Sequence, residues 1–129
     1  MGDDMSIEKK KTYYCNVDLA IDIIGGKWKP LILYHLSNTD TLRFGAFKRL
    51  IPNVNERVLS RLLKELEQNE IIHREDFNEN PPRVEYSLTE IGRTLSPVLI
   101  ELGEWAKKYN KNHNYGVIQF QDAYEDGNC

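Results

Sequence analysis

The sequence is poor in the features that mark several protein classes. It holds two cysteines, Cys15 and Cys129, in 129 residues, too few for a disulfide-stapled secreted domain. No apolar run reaches the ~18 residues that a membrane span needs. Met1 to Lys11 is polar and charged, without the apolar centre of a secretion signal. A cytoplasmic protein with no membrane partner is therefore expected. His35, His73 and His113 stand alone, and none pairs with another histidine or cysteine at metal-ligand spacing. Gly25-Gly26-Lys27 lacks the upstream glycine and the Ser/Thr of a phosphate-binding loop. A nucleophile pair of Cys15 with His35 would need an orienting third group, and none is identifiable. The expectation is a chain without metal, cofactor or catalysis.

Positive charge is also scarce in total: the formal net charge is −3. Its distribution matters more than its sum. From Arg43 to Lys64 there are six basic residues (Arg43, Lys48, Arg49, Arg57, Arg61, Lys64) against one acidic, Glu56. The acidic residues gather in Glu65 to Asp76 and in the tail, Asp122 to Asp126. A chain of this length suits one domain able to bury a core without staples.

Periodicity supplies the elements. Val17, Ala20, Ile21 and Ile24 fall on one helix face, and Gly25-Gly26 ends that helix. A second helix is expected from near Lys27 to about Leu36, with Pro30 in its first turn. A short helix over about Gly45 to Leu50 is broken by Ile51-Pro52-Asn53-Val54. Asn55 then caps a helix in which Leu59, Leu62, Leu63 and Leu66 form a buried stripe, while Arg57, Ser60, Arg61 and Lys64 face outward. Ile71 to Phe77 and the alternating Arg83 to Leu88 read as two strands joined by the turn-rich Asn78 to Pro82. Thr89 caps a long helical stretch to Tyr109, with a kink or break expected at Pro97, Ser96 acting as cap. Within it Ile91, Leu95, Val98, Leu102, Trp105 and Tyr109 repeat every 3.5 residues on average, the spacing of a helix-to-helix seam.

The expected fold is mainly α with a small β-hairpin: a winged helix-turn-helix over Leu42 to Leu88 with flanking dimerisation helices. Residues 1–13 form a mobile basic arm, 14–110 the domain and 111–129 a tail. A B-DNA major groove admits one α-helix, and the face from Asn55 to Lys64 suits it. Arginine pairs bidentately with guanine, serine bonds several base edges, and lysine serves phosphates. The DNA-binding candidates are Lys27, Arg43, Asn55, Arg57, Ser60, Arg61, Lys64 and Arg83. Arg83 is assigned to the wing, and Lys27 to a helix N-terminus able to hold a phosphate.

The runs Cys15 to Asp18, Ile24-Gly25-Gly26-Lys27-Trp28-Lys29-Pro30-Leu31-Ile32-Leu33, Asn55 to Glu67, Leu88 to Leu95 and Glu104-Trp105-Ala106 resemble the HxlR-type regulators, related to the MarR-like winged-helix proteins. The resemblance spans Cys15 to about Tyr109. It implies a bacterial transcriptional regulator acting as a homodimer of first and last helices on a palindromic operator. Val17, Ile21, Leu95, Val98, Leu102, Trp105 and Tyr109 are the interface candidates. It also implies that Cys15 is a redox or electrophile sensor, as in some members. Lys9, Lys10, Lys11 and a helix N-terminus near Asn16 are the groups available to lower its pKa. Asn16 departs from the proline that many members carry there, and the resemblance supplies no role for Cys129. A Cys15–Cys129 link, and an effector pocket lined by Tyr13, Tyr14, Trp28 and Trp105, stay open. So do two rival readings: a winged helix used for protein association, and a cysteine-dependent enzyme.

Overall fold

A computed structural model describes residues 10–119. These residues form six helices and one hairpin: α1 (Asn16–Ile24), α2 (Lys29–Ser37), α3 (Phe44–Leu50), α4 (Glu56–Gln68), β1 (Ile72–Asp76), β2 (Val84–Leu88), α5 (Glu90–Arg93) and α6 (Ser96–His113). The core is a single aliphatic cluster. Ile32, Leu33 and Leu36 of α2 meet Phe47 of α3, Leu59, Leu62, Leu63 and Leu66 of α4, and Ile72 and Leu88 of the hairpin. Each fully buried aliphatic side chain contributes ~1.5–3 kcal/mol, so the four leucines alone suffice to hold α4 on the domain.

Local chemistry sets the boundaries. The Gly25 N–H bonds to the Ile21 carbonyl at 2.7 Å and closes α1. Gly26 follows at φ +96, a conformation that glycine adopts without strain. Trp28, not Lys27, is the N-cap residue of α2. Lys27 therefore lies outside the helix, with its ammonium 4.9 Å from the Trp28 ring centroid. Asn53, at φ 74, turns the chain between α3 and α4. The Asn55 side chain accepts from the N–H groups of Arg57 (2.7 Å) and Val58 (3.3 Å), the N-cap expected from sequence.

The hairpin is antiparallel, in register from Ile72↔Leu88 to Asp76↔Val84. Leu42 extends it by exchanging backbone hydrogen bonds with Tyr86 at 2.9 and 2.8 Å. The wing thus stitches the entrance of α3 to the domain, a contact that the periodicity of Leu42 did not signal.

The long C-terminal helix is divided, but the break lies at Thr94-Leu95, and Ser96 is its first residue rather than its cap. The Thr89 hydroxyl donates to the carbonyls of Glu70 (2.7 Å) and Ile71 (3.0 Å) and accepts from the Gly92 N–H at 3.1 Å. Gly92 packs so closely that a Cβ there would lie 2.2 Å from the Ile71 carbonyl oxygen. These contacts fix α5 against the hairpin and force a new helix to begin. α6 then continues past Tyr109 to His113, four residues beyond the expected end. There the Asn110 side chain brackets Gly116, donating to its carbonyl at 2.9 Å and accepting from its N–H at 2.8 Å.

Of the expected basic arm, residues 1–9 lie outside the described residues. Lys11 and Tyr13 are tied to α1, both bonding to the Asp22 carboxylate. That carboxyl is held below its ordinary pKa, chiefly by the Tyr13 hydroxyl and then by Lys11. Among the described residues, no helix is long and apolar enough to cross a membrane.

Candidate nucleic-acid interface

One face of α4 is buried and the other is open. Leu59, Leu62, Leu63 and Leu66 point inward, while Arg57, Ser60, Arg61 and Lys64 are all exposed. The two faces arise because the leucines and the polar residues follow the same 3.6-residue period, offset around the axis. A helix so held can be presented to a groove without losing its own packing. Asn55 sits at its start, with its side-chain carbonyl already engaged in capping.

The charges around this face are unequally committed. Arg61 pairs with Glu65 at 3.0 Å, one turn along the helix. Glu65 also receives Lys29 of α2 at 2.9 Å. Lys29 is almost wholly buried, its side chain 10% exposed. Lys29 foremost, then Arg61, hold the Glu65 carboxyl below its usual pKa against partial burial. Lys48 of α3 pairs with Glu56, the one acidic residue in the first turn of α4. Arg57 and Lys64 form no ion pair among the described residues. Arg43 and Arg49 are exposed on α3 and its N-cap.

Arg83 is placed differently from the sequence expectation. Its guanidinium engages both carboxylate oxygens of Glu79 at 3.1 and 3.0 Å, and Glu85 at 3.1 Å. It also lies 3.5 Å from the centre of the Phe77 ring. Arg83 is thus a brace within the wing. The exposed wing cation is Arg74 of β1, which the sequence reading passed over. Strand alternation was the available signal: Arg74 is two residues from the buried Ile72 and so shares its face. A cleft of about 350 Å³ separates α4 from the wing, lined by Ser60, Lys64, Glu67, Arg74 and Tyr86.

A second surface is apolar. Val17 and Ile21 on α1, and Val98, Leu102, Trp105 and Tyr109 on α6, are exposed. Val17, Ile21, Val98 and Leu102 line a groove of about 370 Å³ between the two helices. Leu95 does not join them, because it packs against the core. Ile91 lies on α5, beyond the break. The surface gains at its other end. Trp105 stacks on Tyr109 (centroids 5.4 Å apart), Tyr109 on His113 (4.2 Å), and Tyr115 meets Tyr109 edge-on at 5.8 Å.

Cys15 is an exposed free thiol at the N-cap of α1. The first-turn Asp18 accepts from the Tyr14 N–H at 2.9 Å. Trp28 is half-buried against the core. His35 is buried in α2, and burial pushes its pKa down to about 4, so it is neutral near pH 7. Cys129 lies outside the described residues.

The HxlR-like helix-turn-helix family matches residues 23–114, most of the chain and the surfaces just described apart from Cys15, most of α1 and Tyr115. The chain belongs to this family. Curated relatives of this HxlR-like protein include the HTH-type transcriptional regulator YdeP of Bacillus subtilis (strain 168). It is 50% identical over 95 residues, covering 74% of this chain and 73% of the relative. An HTH-type transcriptional regulator of Methanothermobacter thermautotrophicus is 46% identical over 111 residues, 86% of this chain and 82% of the relative. Among solved structures, the redox regulator HypR in its oxidised form superposes with a TM-score of 0.69 at 45% identity, covering 73% of this chain and 96% of that one. The reduced form of the transcriptional regulator YodB from B. subtilis gives 0.64 at 32% identity, covering 78% and 98%. This HxlR-like protein is a transcriptional regulator with a DNA-binding winged helix-turn-helix.

Proposed function

We propose that this regulator acts by binding, not by catalysis, as a homodimer on a palindromic operator. The observation that carries the reading is the divided surface of α4, four leucines inward and Arg57, Ser60, Arg61 and Lys64 outward. Arg57 and Arg61 read guanine edges, Ser60 bonds an adjacent base, and Lys64 meets the backbone. Arg61 must leave Glu65 to do so, and its guanidinium loses little because that pair is exposed. Lys27 and Arg43 contribute exposed phosphate contacts at the margin. The apolar face of α1 and α6 joins two copies, which sets the half-sites about one helical turn, ~34–36 Å, apart. Selection from a random duplex library tests this. An inverted repeat with that spacing is expected to be enriched, and enrichment of no motif, or of a single unrepeated one, would contradict the reading.

Gating through Cys15 is a second layer, supported by the exposure of its thiol at the start of a helix assigned to the dimer face. Two of the similar structures bear on it, HypR as a redox regulator and YodB in a diamide-treated form. Diamide removes two electrons and two protons from two thiols, leaving one disulfide and the hydrazine. Linking Cys15 to a second thiol in this way repositions α1 and with it the two reading heads. Operator affinity should change on diamide treatment of the wild type and stay constant in Cys15→Ser. Equal responses in both proteins would remove Cys15 as the sensor.

A further inference from the structure

The cleft between α4 and the wing holds two of the reading-side cations that form no ion pair among the described residues. Lys48 is committed to Glu56, Arg61 to Glu65, and Arg83 to Glu79 and Glu85. Lys64 and Arg74 face one cleft and form no ion pair among the described residues. Two side chains bearing hydroxyls, Ser60 and Tyr86, line the same space of about 350 Å³. Tyr86 is fixed there three ways. It is the register partner of Arg74, it exchanges backbone bonds with Leu42, and its ring meets Phe47 edge-on at 6.0 Å. Glu67 is the one acidic lining residue. Two cations against one carboxylate leave the cleft net positive, suited to a singly charged anion.

A phosphodiester carries that single charge. When a helix occupies the major groove, the backbone strands run along both its flanks, and the wing is the wall on one side of α4. We propose that this cleft seats one backbone phosphodiester of the bound duplex, gripped by Lys64 from the helix and by Arg74 from the wing. This assignment rests on the operator-binding reading above. It makes Arg74, on β1, the wing's contact with DNA, in the place that sequence reasoning gave to Arg83.

A salt series with wild type, Arg74→Ala and Arg74→Lys on operator and shuffled duplexes tests the seat. Arg74→Ala should lose about tenfold on both duplexes alike and flatten the log K against log salt slope by ~0.9. Arg74→Lys should keep the slope. Among neutral methylphosphonates placed at single positions, one per half-site should weaken the wild type by clearly more than it weakens Arg74→Ala, the remainder there being the Lys64 contact. Inorganic phosphate binding that Arg74→Ala abolishes, at concentrations that leave duplex affinity unchanged, would overturn the assignment to DNA. A wild type that binds while Arg74→Ala keeps its affinity and slope overturns the seat alone. A wild type that binds no duplex overturns the operator reading and the seat together.

Discussion

Replacing Leu102 with aspartate will separate the proposed homodimer and lower operator affinity by about 10²–10⁴-fold while leaving each protomer folded. Leu102 is 59% exposed in the isolated chain, at the centre of the groove between α1 and α6. A surface substitution of this kind changes protomer stability by no more than ~0.5 kcal/mol. Across the seam the new carboxylate would be buried against Val17, Ile21 and Val98 of a partner face, with no counter-charge to offset its desolvation. Each freed head would then bind its half-site alone, and the multivalent gain of ~10²–10⁴ would disappear. Sedimentation combined with operator titration reads both effects. A dimer of undiminished affinity would place the subunit contact elsewhere.

Replacing Glu65 with alanine will destabilise the domain by about 2 kcal/mol, below the ~3–5 kcal/mol of breaking a fully buried ion pair. The buried member is Lys29, whose side chain is 10% exposed and whose ammonium has Glu65 2.9 Å away. Removing Glu65 leaves that charge inside the protein without its ion-pair partner. The figure falls below that range because Glu65 itself, 38% exposed, keeps contact with water. Urea unfolding should show a lower midpoint at unchanged slope. Adding Lys29→Met should recover most of the loss, since the methionine fills the space without a charge. A midpoint within error of wild type for Glu65→Ala would refute this account of the pair. The Glu65 carboxyl is held below its ordinary pKa. Its contribution is therefore complete above the ordinary glutamate range, and is lost as pH falls through that lowered value.

Lys29–Glu65–Arg61 joins the scaffold to the reading face. Glu65 anchors α4 to α2 through Lys29 and holds the Arg61 guanidinium along the helix. In the proposed complex Arg61 leaves Glu65 to meet a base, and Lys29 keeps the carboxylate partnered. The arginine is thus pre-positioned without the fold depending on it.

What could be read in the sequence follows from how local its causes are. α1, the leucine stripe of α4 and the Asn55 cap depend on neighbours within a few residues, and they lie where their spacing puts them. The hairpin was legible through alternation and its turn-rich tip. Features requiring distant contacts were not. Pro97 signalled that the C-terminal helix divides, but not that Thr89 and Gly92, locking α5 against Glu70 and Ile71, would set the break at Thr94-Leu95. Arg83 looked available because nothing in its own strand shows that the wing tip returns Glu79 to it. Lys27 looked helical because the aromatic that caps α2, Trp28, carries no recognisable capping group. Leu95 fits the seam by spacing, yet the break beside it turns it into the core.

The most direct test of the central claim, that the outward face of α4 reads a specific duplex, is a titration over a salt series with wild type and Arg61→Ala on operator and shuffled DNA. The expected result is a steep negative slope of log K against log salt for both proteins. The wild type should prefer the operator, and Arg61→Ala should lose ~1–3 kcal/mol of that preference with its fold intact. Equal wild-type affinity for operator and shuffled duplex at every salt concentration would contradict the claim.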